Sequence, residues 1–146
     1  MVWPGCAQTL SNGIDYRHGG ADPAREGPHL HRSGRFPAKY GTAYLSAATC
    51  SELLVGVHLA NTEERRLRRS AYVEALFKLF RPLAFDLEVA RVHAQLVSTL
   101  AKNVTLGALD LIIGATAIRY GFAVLTTNPA DFRRMPGCLV ESAAET

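Results

Sequence analysis

Apolar residues follow two different periods along this chain. Four short runs have the length of strands: Ala43-Tyr44-Leu45-Ser46, Pro82-Leu83-Ala84-Phe85, Phe122-Ala123-Val124-Leu125-Thr126 and Cys138-Leu139-Val140-Glu141. Between them the spacing changes to that of helices. Thr49 or Ser51 is placed to cap a helix running to about Ala60. Asn61 or Thr62 is placed to cap the next, with Leu67, Ala71, Leu76 and Phe80 at near-helical spacing. Asp86 follows a proline break and opens a third helix, with Ala90, His93, Leu96 and Leu100 on one side. Gly107 to Tyr120 forms a fourth, and Gly121 stops it. Strands alternating with helices predict an α/β fold, a central parallel sheet flanked by helices in three layers.

The pattern does not extend to residues 1–42. From Arg17 to Lys39 there are four Gly, four Arg, three Pro and three His, with only Leu30 and Phe36 as large apolar residues. A stretch this poor in core formers cannot offset its ordering entropy by burial. The chain therefore divides into an irregular segment, 1–42, a patterned domain, 43–141, and a short tail, 142–146. Within the first segment His29-Leu30-His31 reads as a solvated loop, since no further ligands stand at metal-site spacing.

Composition narrows the class. The chain has 146 residues, 48% hydrophobic and 20% charged, which suits one globular domain with a real core. No apolar run approaches the roughly 20 residues that span a bilayer, and the start lacks a signal peptide's apolar stretch. No membrane association and a cytoplasmic location are the expectation. Cys6, Cys50 and Cys138 are odd in number and lack C-x-x-C spacing, against a disulfide framework or a zinc site. A net charge of +3 permits a polyanionic partner without demanding one. The run Glu63-Glu64-Arg65-Arg66-Leu67-Arg68-Arg69 reads as a solvated helix face, or more sharply as a basic rim facing RNA.

Two carboxylates break otherwise apolar segments. Asp110 stands in Leu106-Gly107-Ala108-Leu109-Asp110-Leu111-Ile112-Ile113-Gly114-Ala115, and Glu52 in Thr49-Cys50-Ser51-Glu52-Leu53-Leu54-Val55-Gly56-Val57. An isolated buried carboxylate is costly unless it is paired, hydrogen-bonded or bound to a metal. Two acids embedded this way in two apolar helices suggest a shared metal site built of oxygen ligands. Thr126, Asn128 and Asp131 follow the third predicted strand, where open parallel sheets gather functional groups. The plainer reading of that stretch is a turn opened by Asn128-Pro129 and capped by Asp131.

Taken in order, Ser51-Glu52-Leu53-Leu54-Val55-Gly56, Gly107-Ala108-Leu109-Asp110-Leu111-Ile112-Ile113, Thr126-Thr127-Asn128-Pro129-Ala130-Asp131-Phe132 and Pro136-Gly137-Cys138-Leu139-Val140-Glu141 resemble the PIN domain. Within that family they resemble the VapC-type ribonuclease toxins of bacterial toxin–antitoxin pairs. The resemblance spans residues 43–141. It implies a PIN-like fold and an endoribonuclease dependent on Mg²⁺ or Mn²⁺, with Glu52 and Asp110 as catalytic and metal-holding acids. Asn128 matches the position of a fourth acid, Asp131 a nearby assisting Asp, and Thr126 the hydroxyl residue before them. It also implies an RNA substrate, an antitoxin partner and a homodimer. The apolar positions Leu53, Leu54, Val57, Leu76 and Phe80 are candidates for a groove that the antitoxin fills, or simply for the core.

The resemblance also implies a first strand ending in Asp-Thr or Asp-Ser. Asp15 and Asp22 lie 37 and 30 residues before Glu52, but neither follows an apolar strand. The codons permitted for Asn12 to Asp22, read one nucleotide forward into Pro23, allow Met-Val-Leu-Ile-Thr-Asp-Thr-Val-Ala-Leu-Ile, such an opening. Residues 1–42 are thus either a divergent extension or a segment read out of frame. As written, the chain is expected to be an impaired nuclease. The alternative is a catalytically inactive PIN fold that binds RNA or an antitoxin without cutting.

Overall fold

The computed structural model describes residues 8–11, 42–100, 102 and 104–142. Ten elements follow in chain order: β1 (Gln8–Ser11), β2 (Ala43–Ser46), α1 (Ala47–His58), α2 (Glu63–Leu79), β3 (Arg81–Leu83), α3 (Leu87–Thr99), α4 (Ala108–Tyr120), β4 (Ala123–Thr126), α5 (Pro129–Arg133) and β5 (Leu139–Ser142). The five strands form one sheet in the order β3-β2-β1-β4-β5, and every pairing is parallel. Helices cover both faces, as the alternating pattern predicts.

The sheet separates two apolar cores. On one face Ala43, Leu45 and Leu125 meet Leu53 and Val57 of α1 and Val73, Leu76 and Phe80 of α2. On the other, Val124 meets Leu96 of α3, Ile113 and Ala117 of α4, and Phe132 and Met135 around α5. All four residues of β4 are buried, which explains a continuous apolar run rather than an alternating one. Pro82 fits β3 because that strand is an edge and the missing N–H breaks no interior ladder.

Several expectations are corrected in detail. The cap of α1 is Ser46 rather than Thr49 or Ser51: its Oγ accepts the Thr49 amide at 3.1 Å, and its hydroxyl pairs with that of Thr49 at 3.0 Å. Thr62 and Asp86 cap α2 and α3 as expected, through Arg65 N–H and Val89 N–H. Leu67 and Ala71 face solvent, so the seam of α2 runs instead through Val73, Leu76 and Phe80. The charged first half of α2 satisfies no core demand, and its apolar spacing is incidental there. Gly121 ends α4 in the left-handed conformation, φ 67°, where a side chain would be strained.

The larger difference concerns residues 1–42, expected to be irregular. Four of them, Gln8–Ser11, supply β1 at the centre of the sheet, paired with β2 on one side and β4 on the other. Hydrogen bonding from two neighbours holds this strand where no hydrophobic alternation announces it. Asp15, Asp22 and the His29-Leu30-His31 stretch lie outside the described residues.

Ser46 is fully buried where β2 turns into the helix that carries Glu52. Ser46→Ala removes the cap, and urea unfolding should show a loss of about 1–2 kcal/mol. An unchanged midpoint would mean that the cap contributes nothing.

Candidate active site

The sheet order reverses direction between β1 and β4: from β1 the chain builds outward through β2 and β3, then returns to place β4 on the other side. Open α/β sheets form a crevice at such a point, beyond the carboxyl ends of the strands. Ser11 of β1 registers with Thr126 of β4 at this edge. The helix α1 leaves the same edge from Ser46, and α4 packs against α1. Glu52 lies in the second turn of α1 and Asp110 in the first turn of α4.

The structure brings these two carboxylates together. Burial pushes the Glu52 carboxyl above its ordinary range, and the negative charge of Asp110 pushes it further. Burial likewise raises Asp110, and there the additional repulsion comes from Asp131. The three acids therefore share one electrostatic neighbourhood, although 58 residues separate Glu52 from Asp110. Like charges placed this closely favour a bound cation or a shared proton.

The other candidates have more structural work. Thr126 is buried, and its Oγ1 accepts the Asn128 amide at 3.0 Å, closing the turn after β4. Asn128 is exposed at the start of α5, a helix missed in the sequence because Asn-Pro reads equally well as a turn. Its Nδ2 donates to Asp131 Oδ2 at 3.4 Å, a long bond. Arg134 stands 3.7 Å from the other oxygen of Asp131. Asp131 is thus the partly neutralised member of the group, and Asn128 orients it.

All potential ligands here are oxygens, the chemistry of Mg²⁺ or Mn²⁺ rather than zinc. Among the described residues, no three acidic, imidazole or thiol groups form a cluster able to hold an ion unaided. A divalent cation here would rest chiefly on the Glu52 and Asp110 pair and on water. Where the resemblance implies an acid closing the first strand, β1 closes on Ser11.

Sequence reasoning also missed Gly107. A Cβ at this position would sit 2.7 Å from Asp110 Oδ2, so the missing side chain makes room for the carboxylate. Gly107 is the N-cap of α4 and makes no side-chain cap bond, unlike Ser46, Thr62 and Asp86. No local pattern marks it, because glycine is itself a favoured N-cap residue.

The basic run on α2 takes the plainer reading. Arg66 pairs with Glu63, Arg68 with Glu64, and Arg65 Nη1 donates to Asn61 Oδ1. Arg69 Nη1 donates to the Gly56 carbonyl at 2.8 Å and ties α2 to α1. These cations are engaged within the protein rather than held as a free rim.

Because both raised carboxyls bind protons more tightly folded than unfolded, they lower stability above their raised values. That penalty disappears as pH falls below the ordinary values of 4.5 and 3.8. In metal-free buffer Glu52→Gln or Asp110→Asn should raise Tm by a few degrees at pH 7, and the gain should vanish by about pH 3. A drop in Tm at pH 7 would show that the acids are structural.

Comparison with known proteins identifies the family. The PIN domain family model matches residues 25–137. Over 99 residues the chain is 39% identical to Ribonuclease VapC1 of Rickettsia felis, covering 67% of this chain and 74% of that protein. It is 30% identical over 112 residues to the tRNA(fMet)-specific endonuclease VapC of Salmonella typhimurium, covering 76% and 83%. A crystal structure of DNA-bound VapBC from Salmonella typhimurium superimposes with a TM-score of 0.76 at 25% identity, covering 94% of this chain and 98% of that one. The chain belongs to the PIN-domain family, and within it to the VapC type.

Proposed function

We propose that this chain is a metal-dependent endoribonuclease of the toxin kind, impaired as written, and neutralised by an antitoxin. The observation that carries the reading is the meeting of Glu52 and Asp110 at the switch point of the sheet, each raised by burial first and then by the charge of a neighbouring acid, Asp110 for Glu52 and Asp131 for Asp110. Relatives named as ribonucleases support it. When bound, Mg²⁺ or Mn²⁺ supplies an activated water and stabilises charge on the phosphate. Glu52 and Asp110 would hold the ion, their half-buried negative charge favouring a cation. Asp131, oriented by Asn128, adds negative potential and a further oxygen for bound water. Gly107 leaves room for the Asp110 carboxylate.

A binder that does not cut is the second reading, favoured by one observation: β1 closes on Ser11 and not on an acid. Mg²⁺ dehydrates reluctantly and tolerates few lost ligands. Little RNA cleavage at millimolar Mg²⁺ is therefore the expectation for the unmodified chain. Ending β1 in an acid, Ser11→Asp, should produce EDTA-sensitive cleavage. Adding Asp110→Asn should then lower it by more than about 100-fold, since loss even of groups supporting a metal ligand costs about 10–100-fold. Cleavage that survives EDTA and Asp110→Asn would refute the metal mechanism, and its absence from every variant would leave the binder.

The proposed antitoxin covers apolar surface and brings a basic side chain to the acids. Four of the five groove candidates, Leu53, Val57, Leu76 and Phe80, fill the core, so the groove assignment stands corrected to Leu54. Leu54, Val55 and Leu59 of α1, and Leu67 and Leu79 of α2, are the large apolar residues these helices leave exposed. A 26% identical protein of Mycobacterium tuberculosis, VapBC-5, is a member of the VapBC family of toxin–antitoxin systems, and a homodimer is part of the proposal. Co-expression with an adjacent upstream gene product should yield a complex that Leu54→Asp and Leu59→Asp weaken. No complex with the unmodified chain would count against the toxin reading.

Gly107→Ala supplies a separate check. Its methyl crowds Asp110 without touching the core, so calorimetry should show Mn²⁺ affinity reduced by about 10–100-fold with folding retained. Equal affinity would mean that Asp110 does not hold the ion.

A further inference from the structure

The opposite edge of the sheet carries a different constellation. Tyr44, second residue of β2, stacks on Phe122 with ring centroids 5.3 Å apart and planes 14° apart. Phe122, just before β4, stacks in turn on Tyr120 at the end of α4, at 5.5 Å and 22°. The Arg119 guanidinium lies over the Tyr120 ring at 5.8 Å. Arg81 of β3 registers with Tyr44 at the far end of this ladder. Three rings held nearly parallel thus run from the Arg119 guanidinium toward the strand that carries Arg81, near the amino-terminal edge of the strands.

Packing explains only part of this. Tyr44 and Phe122 are half-buried and seal the edge of the sheet, as an aromatic pair does well. Tyr120 is 38% exposed and adds nothing to either core, yet it extends the stack with its plane aligned. Arg119 and Arg81 are exposed, and among the described residues neither is paired with a carboxylate. An aliphatic partner would gain little from flat rings flanked by charge. A nucleobase can stack on Tyr120 in place of the exposed Arg119 guanidinium, which then meets its phosphate.

We propose that the Tyr44–Phe122–Tyr120 ladder, with Arg119 and Arg81, is a stacking platform for single-stranded RNA, an exosite distinct from the acids. The identity of the occupant rests on the ribonuclease reading. The four residues of β4 separate the ladder from Thr126 by roughly 13 Å, at about 3.3 Å per strand residue. That line passes through the buried sheet, so the platform is a separate surface and not a continuation of the acidic crevice. Because stacking tolerates any base, the platform supplies affinity rather than sequence choice.

The test is fluorescence anisotropy of a short labelled oligouridylate titrated with the full chain in EDTA, where binding is read without cleavage. Tyr120→Ala should weaken binding by about five- to 100-fold, the range for loss of one stacked base. Tyr120→Phe keeps the ring and should stay within about twofold. Arg119→Gln should reduce the slope of log affinity against log salt by about 0.7, one phosphate contact on a single strand. Melting curves matched to the parent keep Tyr120→Ala from being a folding defect. Unchanged binding in Tyr120→Ala, equal loss in Tyr120→Phe, or no binding by the parent chain overturns the proposal. A chain that binds in this pattern but never cleaves, even as Ser11→Asp, upholds the platform while removing the ribonuclease reading.

Discussion

Burial of the Glu52 and Asp110 carboxylates at one crevice is the constraint around which this structure is organised, and repulsion from a neighbouring acid adds to it at each. Two helices that could have packed through aliphatic contacts alone each carry an acid into the same half-buried crevice. The rest of the fold holds them there against that repulsion. Ser46 fixes where α1 begins, Arg69 ties α2 to α1, and the apolar faces of α3 and α4 anchor the start of α4. The parallel sheet sets the crevice between its two halves. Such an arrangement lowers the stability of the metal-free protein and makes sense if a cation relieves it.

The helical acids were legible because their surroundings are so apolar. A carboxylate amid Leu109, Leu111, Ile112 and Ile113 has few innocent explanations, and the same holds for Glu52 beside Leu53, Leu54 and Val55. What brings them together is tertiary, and 58 residues of separation hide it from any local pattern. Strands β2, β3, β4 and β5 were legible to within two residues at either end, since hydrophobic runs and turn residues bound them.

Other features were illegible for identifiable reasons. The central strand β1, Gln8-Thr9-Leu10-Ser11, has one large apolar residue, and its place in the sheet comes from backbone pairing on both sides. The inward face of α2 could not be told from its sequence, because Leu67 matches the helical period yet lies among paired charges. The α5 turn hid a helix because Pro129 suits a first helical position as well as a turn. The aromatic ladder joins residues from β2, α4 and the lead into β4, a combination no local spacing displays.

The chemistry and the fold meet in a single question: whether a divalent cation occupies the space between the two helical acids. A crystal of the metal-free protein soaked in Mn²⁺ and measured at the manganese edge answers it. The account predicts one anomalous peak bound by an oxygen of Glu52 and an oxygen of Asp110, at roughly 2.0–2.2 Å. Glu52 and Asp110 hydrogen-bonded to each other through a shared proton, with manganese absent or bound elsewhere, would contradict it.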